Sequence, residues 1–337
     1  MEKDIITFLK KNKSATGAEL CRHLRISRQV LHNHIKKLIQ THEVVKSGST
    51  RGVVYWYKDH QPQAAIRKIV KKYPLLGLLE DQVWEQVALE LNLKKSLRPN
   101  IFQIVQYAFT EVLNNAIDHS QSSDCQIEFI LDIYEIIFKV RDVGIGLFYS
   151  IYSKYNLNDE YEAIGELVKG KATTMAEKHS GEGIFFTSKT ADYLSLRSHE
   201  IKLLFDNIKE DIFVEQEHSI QGTEVVFKIR KNSKKMISDI FQKFAPAEFD
   251  FQFQKTEVYV KLFQKEYMSR SEAKRLVSRL DQFKSVILDF KDVISIGQGF
   301  ADEVFRVFQK SHPNIHLKIQ NAGPVIQAMV QHVSEAS

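Results

Sequence analysis

Residues 109–120 read FTEVLNNAIDHS, and this stretch decides how the central part of the chain folds. Apolar side chains recur at three- and four-residue intervals, at Phe109, Val112 and Ala116. This spacing is typical of a helix that buries one side in a core. Proline is favoured in the first turn of a helix. The pattern therefore predicts a long helix that begins at Pro99.

Glu111, Asn115 and Asp118 lie four and three positions apart, so they share the opposite side of this helix. One interpretation is a solvated polar face. Asparagine suits such a face poorly, because its side chain competes for backbone hydrogen bonds, and Asn114 and Asn115 are adjacent. We therefore expect this side of the helix to meet something other than water.

Two later stretches place glycines where a ligand would approach. Residues 140–146 read VRDVGIG at the end of an apolar strand, and residues 181–186 read GEGIFF before an amphipathic helix. Glycine lets the backbone approach a ligand closely, and a helix N-terminus offers free N–H groups to phosphate. The residues singled out are Asp142, Gly144, Gly146, Gly181 and Gly183.

In this order, the three motifs resemble the GHKL ATPases, a family that includes DNA gyrase B subunits, MutL and the sensor histidine kinases. The resemblance implies an ATP-binding domain over residues 99–232, built as a two-layer α+β sandwich. It also implies ATP and Mg²⁺ as cofactors.

The resemblance implies a role for each residue at the reacting end of the nucleotide. Glu111 matches the general base that orients and deprotonates the attacking water. Asn115 matches the Mg²⁺ ligand, and a neutral amide oxygen suits a hard cation that phosphates also hold. Gly181 and Gly183 match the second glycine box, at the phosphate end.

At the base end, Asp142 matches the acid that accepts a hydrogen bond from the adenine amino group. Gly144 and Gly146 would keep this wall of the pocket open. Thr223, in the sequence QGTE, matches the threonine that reaches adenine through its hydroxyl. Asp118 would stand in a second layer beside the base.

Residues 148–180 occupy the position of the family's ATP lid. They are polar and, apart from residues 161–168, lack strong periodicity. Lys171 and Lys178 would touch the γ-phosphate or, as we favour, be surface lysines. The lid is poorer in glycine than gyrase lids, so ATP binding is a firmer prediction than hydrolysis.

Composition and charge limit the class of protein. The 337 residues are 43% hydrophobic and 26% charged, which is typical of a soluble protein with two or three domains. The net charge is +5, but residues 1–60 alone hold 12 Lys and Arg against 5 Asp and Glu. The basic character therefore belongs to the N-terminal segment. Two cysteines without a pairing pattern, and no signal or membrane-spanning segment, favour a cytoplasmic location.

Residues 1–60 show three short helical patterns followed by two apolar runs around a glycine-containing loop, the order of a winged helix–turn–helix domain. Val30, Leu31, Ile35 and Leu38 would face the core from the third helix. Its outward residues and one residue of the wing would contact double-stranded DNA. These candidates are Arg28, Gln29, His32, Asn33, Lys36 and Arg51.

Residues 61–98 are expected to form a linker and connecting helices, the second of them over residues 78–91. Four strands are expected at residues 194–199, 201–207, 212–216 and 223–229. A linker-like stretch follows at residues 233–246, and strands are expected at residues 249–254 and 257–262.

Residues 245–337 alternate strands and helices, which predicts a small α/β domain. The run from SRSEAKRL to ISIGQGFADEVFR resembles a STAS-like domain of uncharacterised function. Relatives of that domain are phosphorylated on a serine in the turn that here reads Gly297-Gln298-Gly299, so the resemblance does not support a phosphoacceptor. A regulatory protein is the partner that this domain would bind.

Together these patterns favour a DNA-binding regulator that binds ATP and hydrolyses it. Bound ATP would switch the protein by moving the winged helix or by creating a homodimer contact. Two alternatives stay open. One is a protein kinase of the histidine-kinase or anti-sigma type, although no helical His-Glu motif precedes the ATPase region. The other is a nucleotide sensor without turnover.

Overall fold

The computed structural model describes residues 1–41, 43–47, 54–60, 66–132, 134–172, 181–262 and 266–335. They form a mixed α/β chain with separate hydrophobic cores for its N-terminal, central and C-terminal parts.

The N-terminal part is a helical core with a small antiparallel sheet in the order β1-β3-β2. Thr16 caps the second helix with a capping box. Its side chain accepts from the Glu19 N–H, and the Glu19 side chain accepts from the Thr16 N–H. Ser27 caps the third helix. The elements are α1 Glu2–Asn12, β1 Ser14–Thr16, α2 Gly17–Leu24, α3 Arg28–Gln40, β2 Val44–Ser47 and β3 Val54–Tyr57.

The predicted order of three helices and two strands is confirmed, and the structure adds the short strand β1, which pairs with β3. Leu31, Ile35 and Leu38 are buried, as the helical spacing predicts. The prediction for Val30 is wrong, because its side chain is 41% exposed. Val30 precedes Leu31 by one position, so the 100° turn per residue carries it out of the narrow buried stripe.

The central part is an antiparallel five-stranded sheet in the order β4-β5-β6-β8-β7. Apart from the last of them, its helices bury their apolar sides on the same core. The elements are β4 Arg67–Pro74, α4 Glu80–Glu90, α5 Leu93–Ser96, α6 Pro99–His119, β5 Asp124–Leu131, β6 Glu135–Asp142, α7 Leu147–Tyr155, α8 Glu160–Lys169, α9 Gly183–Thr190, β7 Tyr193–Asp206 and β8 Asp211–Arg230.

Helix α6 packs on this sheet through Phe109. The centroid of its fully buried ring lies 5.0 Å from that of Phe129 on β5 and 5.6 Å from that of Phe138 on β6. Trp84 of α4 closes the cluster at 6.0 Å. These rings fix which side of α6 faces the sheet, and thereby which side carries Glu111 and Asn115.

Three predictions for this part are corrected. The basic stretch predicted as the start of a connecting helix is the edge strand β4, so the sheet begins at Arg67 rather than after residue 98. Helix α7 lies in a segment predicted to lack periodicity. The four predicted strands after residue 193 are two long ones, β7 and β8, and the predicted break after His199 is a β-bulge.

The C-terminal part has a parallel three-stranded sheet in the order β13-β11-β9, and a short parallel pair of β10 and β12. A π-helical segment, Asp302–Phe308, joins α12 to α13. The elements are α10 Ile237–Phe244, β9 Lys255–Tyr259, β10 Glu266–Tyr267, α11 Arg270–Val277, β11 Ser285–Asp289, β12 Ser295–Ile296, α12 Gln298–Ala301, α13 Gln309–Ser311, β13 His316–Gln320 and α14 Pro324–Glu335.

Strands and helices alternate here as predicted, with three local corrections. The strand predicted at residues 257–262 is β9, which ends at Tyr259, and Val260–Leu262 form a 3₁₀ helix. The stretch predicted as a linker contains α10. Residues 249–254 are not a strand, because Asp250 and Phe251 both have positive φ angles, 53° and 59°, which no extended strand allows. Ser269 caps α11 with a capping box to Glu272, and the helix ends at Val277.

We expect Phe109→Ala to lower the free energy of unfolding of the central part by about 3–5 kcal/mol, because it opens a cavity between α6 and the sheet. Leu89→Ala is the control. Its side chain is 84% exposed, so the change should stay within about 0.5 kcal/mol. Urea unfolding followed by tryptophan fluorescence measures both. Equal losses would contradict the assigned core.

Candidate functional site

One cavity brings together residues from the end of α6, the end of β6, the start of α7 and the middle of β8. Four of the residues singled out from the sequence line it: Asn115, Asp142, Gly146 and Thr223. The remaining lining residues are Val112, Ala116, His119, Ser120, Val140, Leu147, Ser150, Ile184 and Val225.

Asp142 ends β6 with a carboxylate that is 5% exposed. Its Oδ1 accepts hydrogen bonds from the N–H of Gly144 at 2.9 Å and of Thr223 at 3.2 Å. Burial raises the pKa of this carboxyl above its ordinary value, although the two hydrogen bonds favour the charged form. Both bonds end on Oδ1, so Oδ2 accepts from neither.

Thr223 joins the strand β8 to the helix α7. Its hydroxyl oxygen accepts from the N–H of Leu147 at 2.9 Å, so its own proton is available to another acceptor. The preceding residue, Gly222, has a φ of +74°, and a Cβ there would lie 2.4 Å from the Asp142 carbonyl oxygen. Glycine at 222 therefore allows the close approach that brings Thr223 to Asp142.

Glu111 and Asn115 lie one turn apart on α6. The Asn115 Nδ2 donates to the Glu111 carbonyl at 2.7 Å, which leaves Oδ1 as the end of the amide that is not tied to the helix. A Cβ on Gly183 would lie 1.9 Å from Oε2 of Glu111. The N-terminus of α9 thus packs directly on the Glu111 side chain, and any larger residue at position 183 would require this carboxylate to shift.

The other glycines also mark close approaches. A Cβ on Gly144 would lie 1.8 Å from the Ser120 carbonyl oxygen, and one on Gly146, where φ is +88°, would lie 2.5 Å from the Ser198 Oγ. Gly181 packs on residues 171–172. Sequence reasoning missed Ser120, whose carbonyl accepts from the Ile145 N–H at 2.8 Å. Its signal was its place as the last residue of the quoted stretch, residues 109–120.

Not every predicted residue lines the cavity. Glu111 and Gly183 meet each other beside it, and Gly144 lies behind it against Ser120. Asp118 is half-buried on α6 outside the lining. Lys171 is not a surface lysine: its Nζ donates to the Gln282 carbonyl at 2.8 Å. Lys178 lies outside the described residues.

The cavity is narrow in this structure. Its volume of about 30 Å³ is room for about one water molecule. A ligand with a purine ring therefore requires one wall of the cavity to move. Gly146 and Leu147 form one wall, and the Leu147 N–H donates to the Thr223 hydroxyl in the opposite strand β8. A larger cavity of about 590 Å³ lies between α8 and the C-terminal part, and it contains none of the predicted site residues.

A second candidate surface lies on α3. Its outward side chains are all exposed, as predicted: Arg28, Gln29, His32, Asn33 and Lys36. Arg51 lies outside the described residues. The exposed helix face carries positive charge and amide groups, which suit phosphates and base edges in a major groove.

Two family models match the chain. Residues 2–53 match an HTH domain, and residues 272–327 match a STAS-like domain of unknown function. Neither match reaches residues 54–271, and no curated protein matches the chain. The HTH domain indicates a DNA-binding regulator. Among the described residues, no helix has both the length and the apolar character that crossing a membrane requires.

We expect Asp142→Asn to preserve the fold, because an amide oxygen can accept both backbone hydrogen bonds. The raised pKa means that the folded protein holds the Asp142 proton more tightly than the unfolded chain does. Ionisation of Asp142 therefore lowers the free energy of unfolding as the pH rises above 3.8. The full decrease is reached at pH values above the pKa of the folded state.

The stability of Asp142→Asn relative to wild type should therefore increase between pH 3.5 and 7, as measured by urea unfolding at each pH. Asp281→Asn, at an exposed position, is the control for loss of one carboxylate. A relative stability that falls with pH would contradict the buried position of Asp142.

Proposed function

We propose that the central part binds ATP with Mg²⁺ and that the N-terminal domain binds double-stranded DNA, so that the protein is a DNA-binding regulator controlled by nucleotide. One observation carries the ATP proposal. Asp142 and Thr223 are hydrogen-bonded to each other in the wall of a cavity that Asn115 also lines, one turn of α6 from Glu111.

The base end of the proposed site needs an acceptor and a donor that are fixed relative to each other. Asp142 is held through Oδ1, so Oδ2 would accept from the exocyclic amino group of adenine. Thr223 would donate its hydroxyl proton to a ring nitrogen. Guanine carries an oxygen in place of that amino group, so this pair would favour ATP over GTP.

The phosphate end needs a metal ligand and a group that orients water. The Asn115 Oδ1 would bind Mg²⁺, whose other ligands would be phosphate oxygens and waters. Within the ranges that the structure describes, no group of three or more His, Cys, Asp or Glu side chains could hold a metal ion alone. Bound Mg²⁺ would neutralise phosphate charge, and Glu111 would orient and deprotonate the attacking water.

The order of the parts along the chain supports a GHKL-type ATPase. The acid and amide lie on α6, the Asp-x-Gly-x-Gly motif ends β6, the second glycine pair precedes α9, and Thr223 lies on β8. In that family these parts bind one nucleotide. The five-stranded antiparallel sheet with α6 packed on it fits the sandwich that this resemblance implies.

The DNA proposal rests on the HTH match and on charge. The exposed face of α3 presents Arg28 and Lys36 with three polar side chains, and residues 1–60 hold 12 Lys and Arg against 5 Asp and Glu, an excess of seven positive charges. Phosphate contacts by such residues release counterions, which makes binding depend on salt.

For ATP, we expect Asp142→Asn to abolish binding, because the amide offers an N–H group where adenine needs an acceptor. Titration calorimetry with a nonhydrolysable ATP analogue and Mg²⁺ measures this loss, and Asp281→Asn is the charge-matched control. Equal affinity in wild type and Asp142→Asn would remove the adenine assignment.

For hydrolysis, we expect Glu111→Ala to keep ATP binding and to lower phosphate release by about 10²–10⁴-fold, the usual contribution of a general base. A steady-state phosphate-release assay gives the rate. Wild-type protein that binds ATP without releasing phosphate would identify a nucleotide sensor and contradict the role of Glu111.

For DNA, we expect Lys36→Ala in the full chain to weaken binding to duplexes of any sequence. The negative slope of the logarithm of the binding constant against the logarithm of the salt concentration should become shallower by about 1. Lys274→Ala, an exposed lysine on α11, removes the same charge elsewhere and should change neither. Fluorescence anisotropy at several salt concentrations gives both quantities. Equal slopes in all three proteins would contradict the assigned face.

A further inference from the structure

Helix α9 packs against both the central part and the C-terminal part of the molecule. Its first residue, Gly183, packs on the Glu111 carboxylate, and the next, Ile184, lines the small cavity. The two residues after these, Phe185 and Phe186, are buried in the core of the C-terminal part instead. The helix therefore links the candidate nucleotide site to the core of the C-terminal part, which also contains buried residues of the STAS-like match.

Aromatic rings form the first part of this link. The Phe185 ring centroid lies 4.5 Å from that of Phe253 and 5.0 Å from that of Phe244. The Phe186 ring stacks on Phe241 at 4.4 Å. Such ring pairs add about 0.5–1.5 kcal/mol each beyond the area that they bury, so this end of α9 is held in a specific position.

A buried ion pair forms the second part. The Lys189 Nζ lies 2.9 Å from Oε2 of Glu257 and 3.3 Å from the Tyr259 hydroxyl on β9. The Lys189 and Glu257 side chains are only 11% and 12% exposed. Removing one partner of such a pair leaves a buried charge uncompensated, so the pair fixes α9 against β9.

Helix α8 is attached to the same C-terminal part. The buried Lys169 Nζ donates to the Ser278 carbonyl at 2.8 Å and the Arg275 carbonyl at 3.2 Å. Its ion-pair partner Glu166 also binds the Arg279 guanidinium at 3.0 Å. The C-terminal part thus contacts the central part on two neighbouring helices through directed polar bonds as well as apolar rings.

Helix α9 is short, so its contact with Glu111 and its contact with the C-terminal core lie close together. Phe186 follows Gly183 by three residues, less than one helical turn, and an eight-residue helix spans about 12 Å. A shift of Phe186 on Phe241 would therefore also displace Gly183, which lies against the Glu111 carboxylate.

We propose that Phe186 and Lys189 are positioning residues for the nucleotide site, through which the STAS-like domain sets the affinity for ATP. This inference rests on the proposed function. Because coupling is reciprocal, bound ATP tightens the contact of α9 with the C-terminal part by the same factor. A ligand or protein bound to the STAS-like domain would thus control the nucleotide site.

The test compares two core substitutions of equal chemistry in the full chain. Phe186→Leu weakens the contact of α9 with the C-terminal core. Phe308→Leu changes the same core at a ring whose centroid lies 4.4 Å from that of His312 and which has no ring contact with α9 among the described residues. We expect Phe186→Leu to weaken binding of a nonhydrolysable ATP analogue at least about fivefold, and Phe308→Leu to leave it unchanged, at a temperature below both melting transitions.

Lys189→Met provides a second variant and should weaken binding of the analogue in the same direction. In wild type, the analogue should also slow hydrogen exchange of the α9 amides. Wild-type affinity in both α9 variants would overturn the inference and leave ATP binding intact. Absence of binding in wild type itself would overturn the proposed function, and the inference with it.

Discussion

The site depends on one buried carboxylate. Asp142 draws the N–H groups of Gly144 and Thr223 onto a single oxygen, and this fixes the end of β6 against β8 and the turn into α7. Burying a charge is costly unless hydrogen bonds compensate for it. Neither N–H group donates to Oδ2, and the proposed contact with adenine would give this second oxygen a partner.

The sequence predicts those elements whose local pattern and burial agree. The spacing on α6 predicts both its length and its two faces, because Phe109 and Val112 bury while Glu111 and Asn115 turn away. The glycine motifs mark backbone approaches that the structure contains, most clearly Gly183 on Glu111. The family models confirm the HTH and STAS-like ends, whereas the ATPase assignment of the middle stays a prediction.

Other elements were missed because tertiary contacts override local pattern. Strand β4 has the lysines of a solvated helix, but Lys68 and Lys72 pair with Glu128 and Asp124 of the neighbouring strand, at 2.7 and 3.0 Å. Lysines are common on edge strands, where they discourage further pairing. The sequence also does not predict that α9 packs on the C-terminal core, because the apolar character of Phe185 and Phe186 fits either core equally well. Only the fold decides which core receives them.

A structure of the protein with a nonhydrolysable ATP analogue and Mg²⁺ tests the central claim most directly. We expect the adenine amino group within hydrogen-bonding distance of Asp142 Oδ2, Asn115 Oδ1 bound to Mg²⁺, and the γ-phosphate beside Glu111 and Gly183. A nucleotide bound in the larger cavity next to α8, or one whose base does not contact Asp142, would contradict the assignment of this site.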